Sequence, residues 1–331
     1  MRWLAILLAL VGIVIAALLP TWLSPFYIRV LQFFYFSAAL AIAWNILGGF
    51  AGYWSFGHTV FIGIGGFAAA HLVMRLGTFG SAPFSMILPI LFAGLVSAGF
   101  AAIVAYPLLR LRGIYFAIAM LGIAQVISEL VNNLGWFQGG IGVFLPPALP
   151  AGMAPERFYY YVFGGFLIVC SAISFAVKHS RFGYGLVAIR EDEDTARMRG
   201  VPTEQFKIAA FVLSAALIGM LGAVYSYSVG YFTTYTLFRI DFSLNMIVYS
   251  LIGGLGTLFG PVIGAAIMLI VTQVLLSRLL EVHLLITGII VVSIVLLMPN
   301  GIIGTLRSRW HRRAGKALAA EPAGETPGET A

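Results

Sequence analysis

The chain has 331 residues, 61% hydrophobic and 9% charged, with a formal net charge of +7. Soluble domains run at about 45–50% apolar and about 25% charged, so this composition excludes a soluble protein and predicts an integral membrane one. The basic excess reads as membrane topology and contact with anionic lipid, and no nucleic-acid partner is expected.

A hydrocarbon core needs about 20 apolar residues per helical crossing. Runs of that kind are expected at 4–23, 28–47, 57–75, 84–109, 113–132, 158–177, 208–230, 242–258, 260–277 and 283–298. The fold class is therefore all-α, a polytopic membrane protein with about ten transmembrane helices. Residues 1–306 form the membrane domain, and 307–331 a tail that is first basic and then disordered in composition. The first run lacks a small-residue cleavage site and is followed by nine more, so it reads as a mature helix and not a signal peptide. The one cysteine, Cys170, falls inside a span and reads as a small buried apolar residue.

Threading these spans puts 14 of the 19 Lys and Arg residues on one side and 5 on the other. Arg239 is counted among the five. Basic loops mark the cytoplasmic side, so both termini are expected inside a bacterial inner membrane. No zinc-type His spacing, nucleophile elbow, CxxC or phosphate loop is present. The chain is not expected to be an enzyme or to hold a cofactor of its own. Any pumping needs an ion gradient or another subunit, and Glu129, the one carboxylate inside a span, is thin support for a gradient.

Two glycine clusters, 46–66 and 251–265, mark similar corners and look like weak internal echoes. Backbone at such corners either lines a transport path or packs closely through small residues. Both readings stand for Gly48, Gly49, Gly253, Gly254 and Gly256. Asn45, Ser55, His58, Gly139 and Gly140 complete the candidate path, with the alternative that the polar side chains simply bond to backbone.

The segment 178–207 concentrates charge, with Glu191, Asp192, Glu193 and Asp194 in succession. From Glu191 it reads as a helix of about nine residues, about 13 Å long. Carboxylates fill its first turn, Arg197 and Arg199 its last, Gly200 suits a left-handed C-terminal residue, and Pro202 stops it. The preceding Ser180–Gly185 stretch reads as turns. A helix so short, with so little apolar face, is expected to rest on another subunit, with Glu193 and Ala196 as contacts. The alternative is a solvated connector.

The loop SRFGYGLVAIREDEDTARMRG and the helix after it resemble the branched-chain amino acid permease family of ABC importers, in particular its LivM-type subunits. The resemblance continues through NILGGFAGYWSFGHTVFIGIGGF, LRGIYFAIAMLGIAQVI, GGLGTLFGPVIGA and MPNGIIG, covering most of the chain from Ser37 to Gly304. It implies the ABC importer permease fold and work beside a second homologous permease, two cytoplasmic ABC ATPase subunits that bind the ATP, and a periplasmic solute-binding protein. It also implies that Ala188, Arg190, Glu191, Glu193, Ala196 and Gly200 match the ATPase-coupling segment. Tyr184, Arg199, Trp54 and Gln138 depart from the usual pattern. The implied solutes are leucine, isoleucine, valine or related amino acids, with urea and short amides as the nearest alternative. A stand-alone channel or gradient-driven carrier would leave the charged loop unexplained.

Overall fold

The computed structural model describes residues 18–77, 84–137, 140–150 and 152–275, with Gly288 and Gly301. Most of the expected first span, the whole tail, and all but Gly288 of the expected last span lie outside these residues, as does Gly139.

Among the described residues, six helices are long and apolar enough to cross a membrane. They are α1 (Pro25–Asn45, extended by a π turn, Ile46–Phe50), α2 (Thr59–Leu76), α3 (Ile87–Leu108), α4 (Ile114–Asn133), α5 (Pro155–Lys178) and, after two short helices, α8 (Thr203–Val229). The short pair is α6 (Arg181–Glu191) and α7 (Glu193–Met198). A two-residue strand β1 (Val143–Phe144) pairs antiparallel with β2 (Tyr231–Phe232) and ties the α4–α5 connection to the end of α8. Then come α9 (Thr234–Leu237), α10 (Ile240–Gly253) and α11 (Gly260–Leu269).

Helix α8 is the hub, packing on α1, α2, α3 and α5. Its glycines let neighbouring backbones touch. A Cβ on Gly222 would stand 2.3 Å from the Ile62 carbonyl, and one on Gly65 would stand 2.0 Å from that of Gly219. Lipid tails are as apolar as the side chains, so this close packing, more than hydrophobic burial, holds the helices together.

Three crossings were expected after α8, at 242–258, 260–277 and 283–298, and the described part of this region departs from the first of them. From β2 the chain turns back into the bundle: Phe232 meets Phe67, and Phe238 lies where a Cβ on Gly63 would be. Thr59 Oγ1 donates to the carbonyls of Leu237 and Arg239 at 3.3 and 2.9 Å, and the Thr59 amide donates to Ser243 Oγ at 2.8 Å. Next to Thr59, His58 bonds to Ser214, near the middle of α8. Arg239, expected in an outer loop, therefore sits near mid-depth, and α10 starts there. At 14 residues α10 is about 21 Å long, short of a core of about 30 Å. Gly254 and Gly256, at φ 121° and 69°, end it, and α11 runs back along it. Among the described residues there are thus six long helices and this re-entrant segment, and the expected count of about ten crossings is not confirmed.

The hub gives a direct test. Gly222→Leu should overpack the α2–α8 contact by about 1–3 kcal/mol and lower the thermal midpoint of the detergent-purified protein. Gly122, whose Cβ would meet nothing within 4 Å, should accept the same change without loss. Equal midpoints for the two variants would show that the close contact does not hold the fold.

Candidate functional site

The charged segment forms two helices where one was expected. Ser180 Oγ accepts from the Gly183 amide and caps α6, so the stretch read as turns is helical. Asp192 is extended, at φ −160°, and breaks the run; its carboxylate accepts from the Thr195 amide at 2.5 Å and caps α7. That amide holds the Asp192 carboxyl below the usual range. Glu191 thus closes α6 instead of opening the second helix. Gly200 takes φ 85°, with Val201 N donating to Ala196 O and Gly200 N to Arg197 O, which is a Schellman end.

The two helices do not stand away from their own chain. Ala196 is buried, and the Glu193 side chain is 9% exposed. Glu193 Oε1 meets Lys207 Nζ of α8 at 2.6 Å, and Lys207 is itself 4% exposed. Lys207 also donates to the Leu109 carbonyl at 3.1 Å and to Tyr53 Oη at 3.0 Å, which satisfies its three donors. Tyr53 in turn donates to Glu193 Oε2 at 2.6 Å. Burial and the neighbouring carboxylate push the Tyr53 hydroxyl far up, so it stays protonated as a donor. Burial also raises Glu193, but the Lys207 and Tyr53 hydrogen bonds outweigh it, leaving the carboxyl below its ordinary value. Arg112, from the α3–α4 turn, grips Asp194 with two bonds of 3.0 and 2.9 Å.

Arg190 reaches further. Its Nη1 donates to the Gly49 carbonyl at 3.0 Å, in the π turn that follows α1. Asn45 accepts from the Gly256 amide at 3.1 Å and donates to the Thr257 carbonyl at 3.0 Å. The two glycine-rich corners therefore meet face to face, with Arg190 closing the junction. A Cβ on Gly49 would stand 1.8 Å from Asn45 Oδ1, and one on Gly256 would stand 2.5 Å from Arg190 Nη1. Gly253 is as tight, with 1.6 Å to the Gly260 carbonyl, and Gly254 lies against Gly301. Gly48 is covered by the Trp44 ring, and Gly140 faces the Asn132 carbonyl.

Ser55 and His58 are fully buried, and Ser55 Oγ and His58 Nδ1 have no hydrogen-bond partner among the described residues. None of these candidate path residues lines the two largest clefts described, of 520 and 540 Å³. The second cleft instead opens beside the helix pair, between Gly52, Trp54, Ile114 and Arg190. Sequence reasoning had passed over Lys207, Tyr53 and Arg112. The available signal was Lys207, a lone cation early in an apolar helix, facing an acidic run.

A family model described as the branched-chain amino acid transport system permease component matches residues 26–295. The chain belongs to this family. It is 26% identical over 307 residues to the high-affinity branched-chain amino acid transport system permease protein LivM of Salmonella typhimurium, covering 84% of this chain and 70% of that protein. Identity to LivM of Escherichia coli is also 26%, with the same coverage. The autoinducer 2 import system permease protein LsrC of Yersinia pseudotuberculosis is 25% identical over 59% of this chain and 56% of its own length. No solved structure matches. A chain of this family, with its apolar helices, is a transport protein and not an enzyme.

The buried pair sets an expected outcome. Glu193→Ala leaves Lys207 buried and unpaired, which costs about 3–5 kcal/mol, so membrane abundance should fall. Replacing both Glu193 and Lys207 by Met should recover more than either single change does. Because the Glu193 pKa is depressed on folding, its stabilisation is complete above 4.5 and is lost as pH falls through the folded value. Normal abundance of Glu193→Ala, measured against Asp194→Ala on the exposed side, would show that the pair does not hold the loop.

Proposed function

We propose that this chain is a membrane-spanning permease subunit of an ATP-driven importer for leucine, isoleucine, valine or related amino acids. It works beside a second homologous permease, two ABC ATPase subunits that bind and hydrolyse ATP, and a periplasmic solute-binding protein. Both termini lie in the cytoplasm. The observation that supports this reading is the rigid α6–α7 pair, tied at Lys207 to α8, at Arg112 to the α3–α4 turn and at Arg190 to the end of α1. A push on its outer face moves three parts of the bundle together.

That outer face differs from the expected one. Glu193 and Ala196 act from inside, holding the helices in place, while Tyr184, Val187, Glu191 and Met198 point outward. Met198 is 81% exposed and Tyr184 is 68% exposed, large apolar groups on a highly charged segment. They are the surface an ATPase subunit covers. The amino-acid reading rests on the LivM relatives, which match more of the chain than the autoinducer 2 permeases do. Urea and short amides remain the competing solutes within the family.

The experiment is copurification in mild detergent, followed by uptake assays. Tyr184→Asp combined with Met198→Asp should leave membrane abundance normal and reduce bound ATPase subunits at least tenfold, as expected when central contacts worth about 2 kcal/mol are lost. Undiminished ATPase binding would remove this face from the interface. Uptake that continues without ATP would favour a gradient-driven carrier.

A further inference from the structure

At the start of α10, Arg239 and Asp241 form an ion pair, with Nη2 and Nε at 2.6 and 3.1 Å from Asp241 Oδ2. Both are more than half exposed, at 59% and 56%. Their depth follows from the backbone, because Arg239 is held by Thr59 beside the His58–Ser214 contact. Ser214 stands about 16 Å along a helix of about 40 Å. Charged residues on the six long helices lie within five residues of a helix end; this pair alone among the described residues sits near mid-depth with its charge on the outside.

An ionisable pair at that level cannot face hydrocarbon without a large cost, and such residues usually border a polar path. A second observation points the same way. Helix α9, just before Arg239, packs on α4, and α4 presents Gln125, Glu129 and Asn133 on one exposed face of an otherwise apolar helix. Glu129 accepts from both of the others, and the row lines an open cleft. This polar row occupies the last turns of α4, on an element that neighbours α9.

We propose that Arg239 and Asp241 line the solute path at the seam with the second permease and read a zwitterionic amino acid, Arg239 taking its carboxylate and Asp241 its ammonium group. This rests on the importer reading above. A zwitterion exchanges one internal ion pair for two, so no charge is left without a partner as it passes. A neutral solute such as urea would open the pair and offer only hydrogen bonds in return. The pair thus favours amino acids over amides as cargo.

The test uses the assembled transporter in membrane vesicles, with Cys170→Ser as background. A charged methanethiosulfonate should modify Asp241→Cys at least tenfold faster than Leu95→Cys, an exposed site on α3 at similar depth, and L-leucine should slow the reaction. Equal rates would overturn the proposal. In proteoliposomes, Arg239→Gln and Asp241→Asn should each lower leucine uptake at least tenfold at matched abundance. The exchange of Arg239→Asp with Asp241→Arg should not restore uptake, because the solute would meet the charges in the wrong order. Restored uptake would make the pair structural and overturn the solute-reading role. If no ATPase subunit accompanies the unaltered chain, the importer reading fails, while the labelling rates still decide whether the pair meets water.

Discussion

The end of the molecule that carries α6 and α7 depends on one buried ion pair, Glu193 with Lys207. Two charges nearly removed from water are costly unless every donor and acceptor is met, and here Tyr53 and the Leu109 carbonyl complete the set. The pair does more than stabilise. It fixes the angle at which a short helix leaves the membrane boundary, a register that apolar contacts between such small surfaces would specify poorly. Once α7 is held, Asp192 sets the bend to α6, and α6 delivers Arg190 to the Gly49 carbonyl.

The family and the helical class were legible because they are written in long patterns: apolar runs, glycine clusters in order, and a capped acidic segment. Asp192 shows where local reading stopped. Four consecutive carboxylates suit one helix start, but the start lies at Glu193, since a residue that caps through its side chain must itself be extended. The outward orientation expected of Glu193 was wrong for a related reason. Its partner, Lys207, lies 14 residues on in another helix, and a contact across a Gly200 turn has no periodic signature.

The re-entrant segment was hidden more deeply. Residues 231–241 read as an ordinary polar connection, and Arg239 as one more outer charge. Its true depth is set by hydrogen bonds from Thr59, some 180 residues earlier in the chain, and by aromatic contacts with α2. The glycines were ambiguous for a different reason. Close packing and a bend look alike in composition, and at Gly253 and Gly256 the structure has both demands at one corner: a neighbouring backbone within contact and, at Gly256, a left-handed φ.

These two regions are joined by a single rod. Helix α10 begins at the mid-depth ion pair and ends at Gly253, one turn from the Gly256 amide that Asn45 clamps beside Arg190. A 14-residue helix transmits displacement over about 21 Å with little internal loss, since its hydrogen bonds are satisfied within itself. In the proposed importer, movement of α6–α7 against an ATPase shifts Arg190, and with it the corner on which α10 stands. The far end of that rod presents Arg239 and Asp241. On that proposal, motion driven at α6–α7 would reach the Arg239–Asp241 pair along α10, without passing through the tightly packed hub around Gly219 and Gly222.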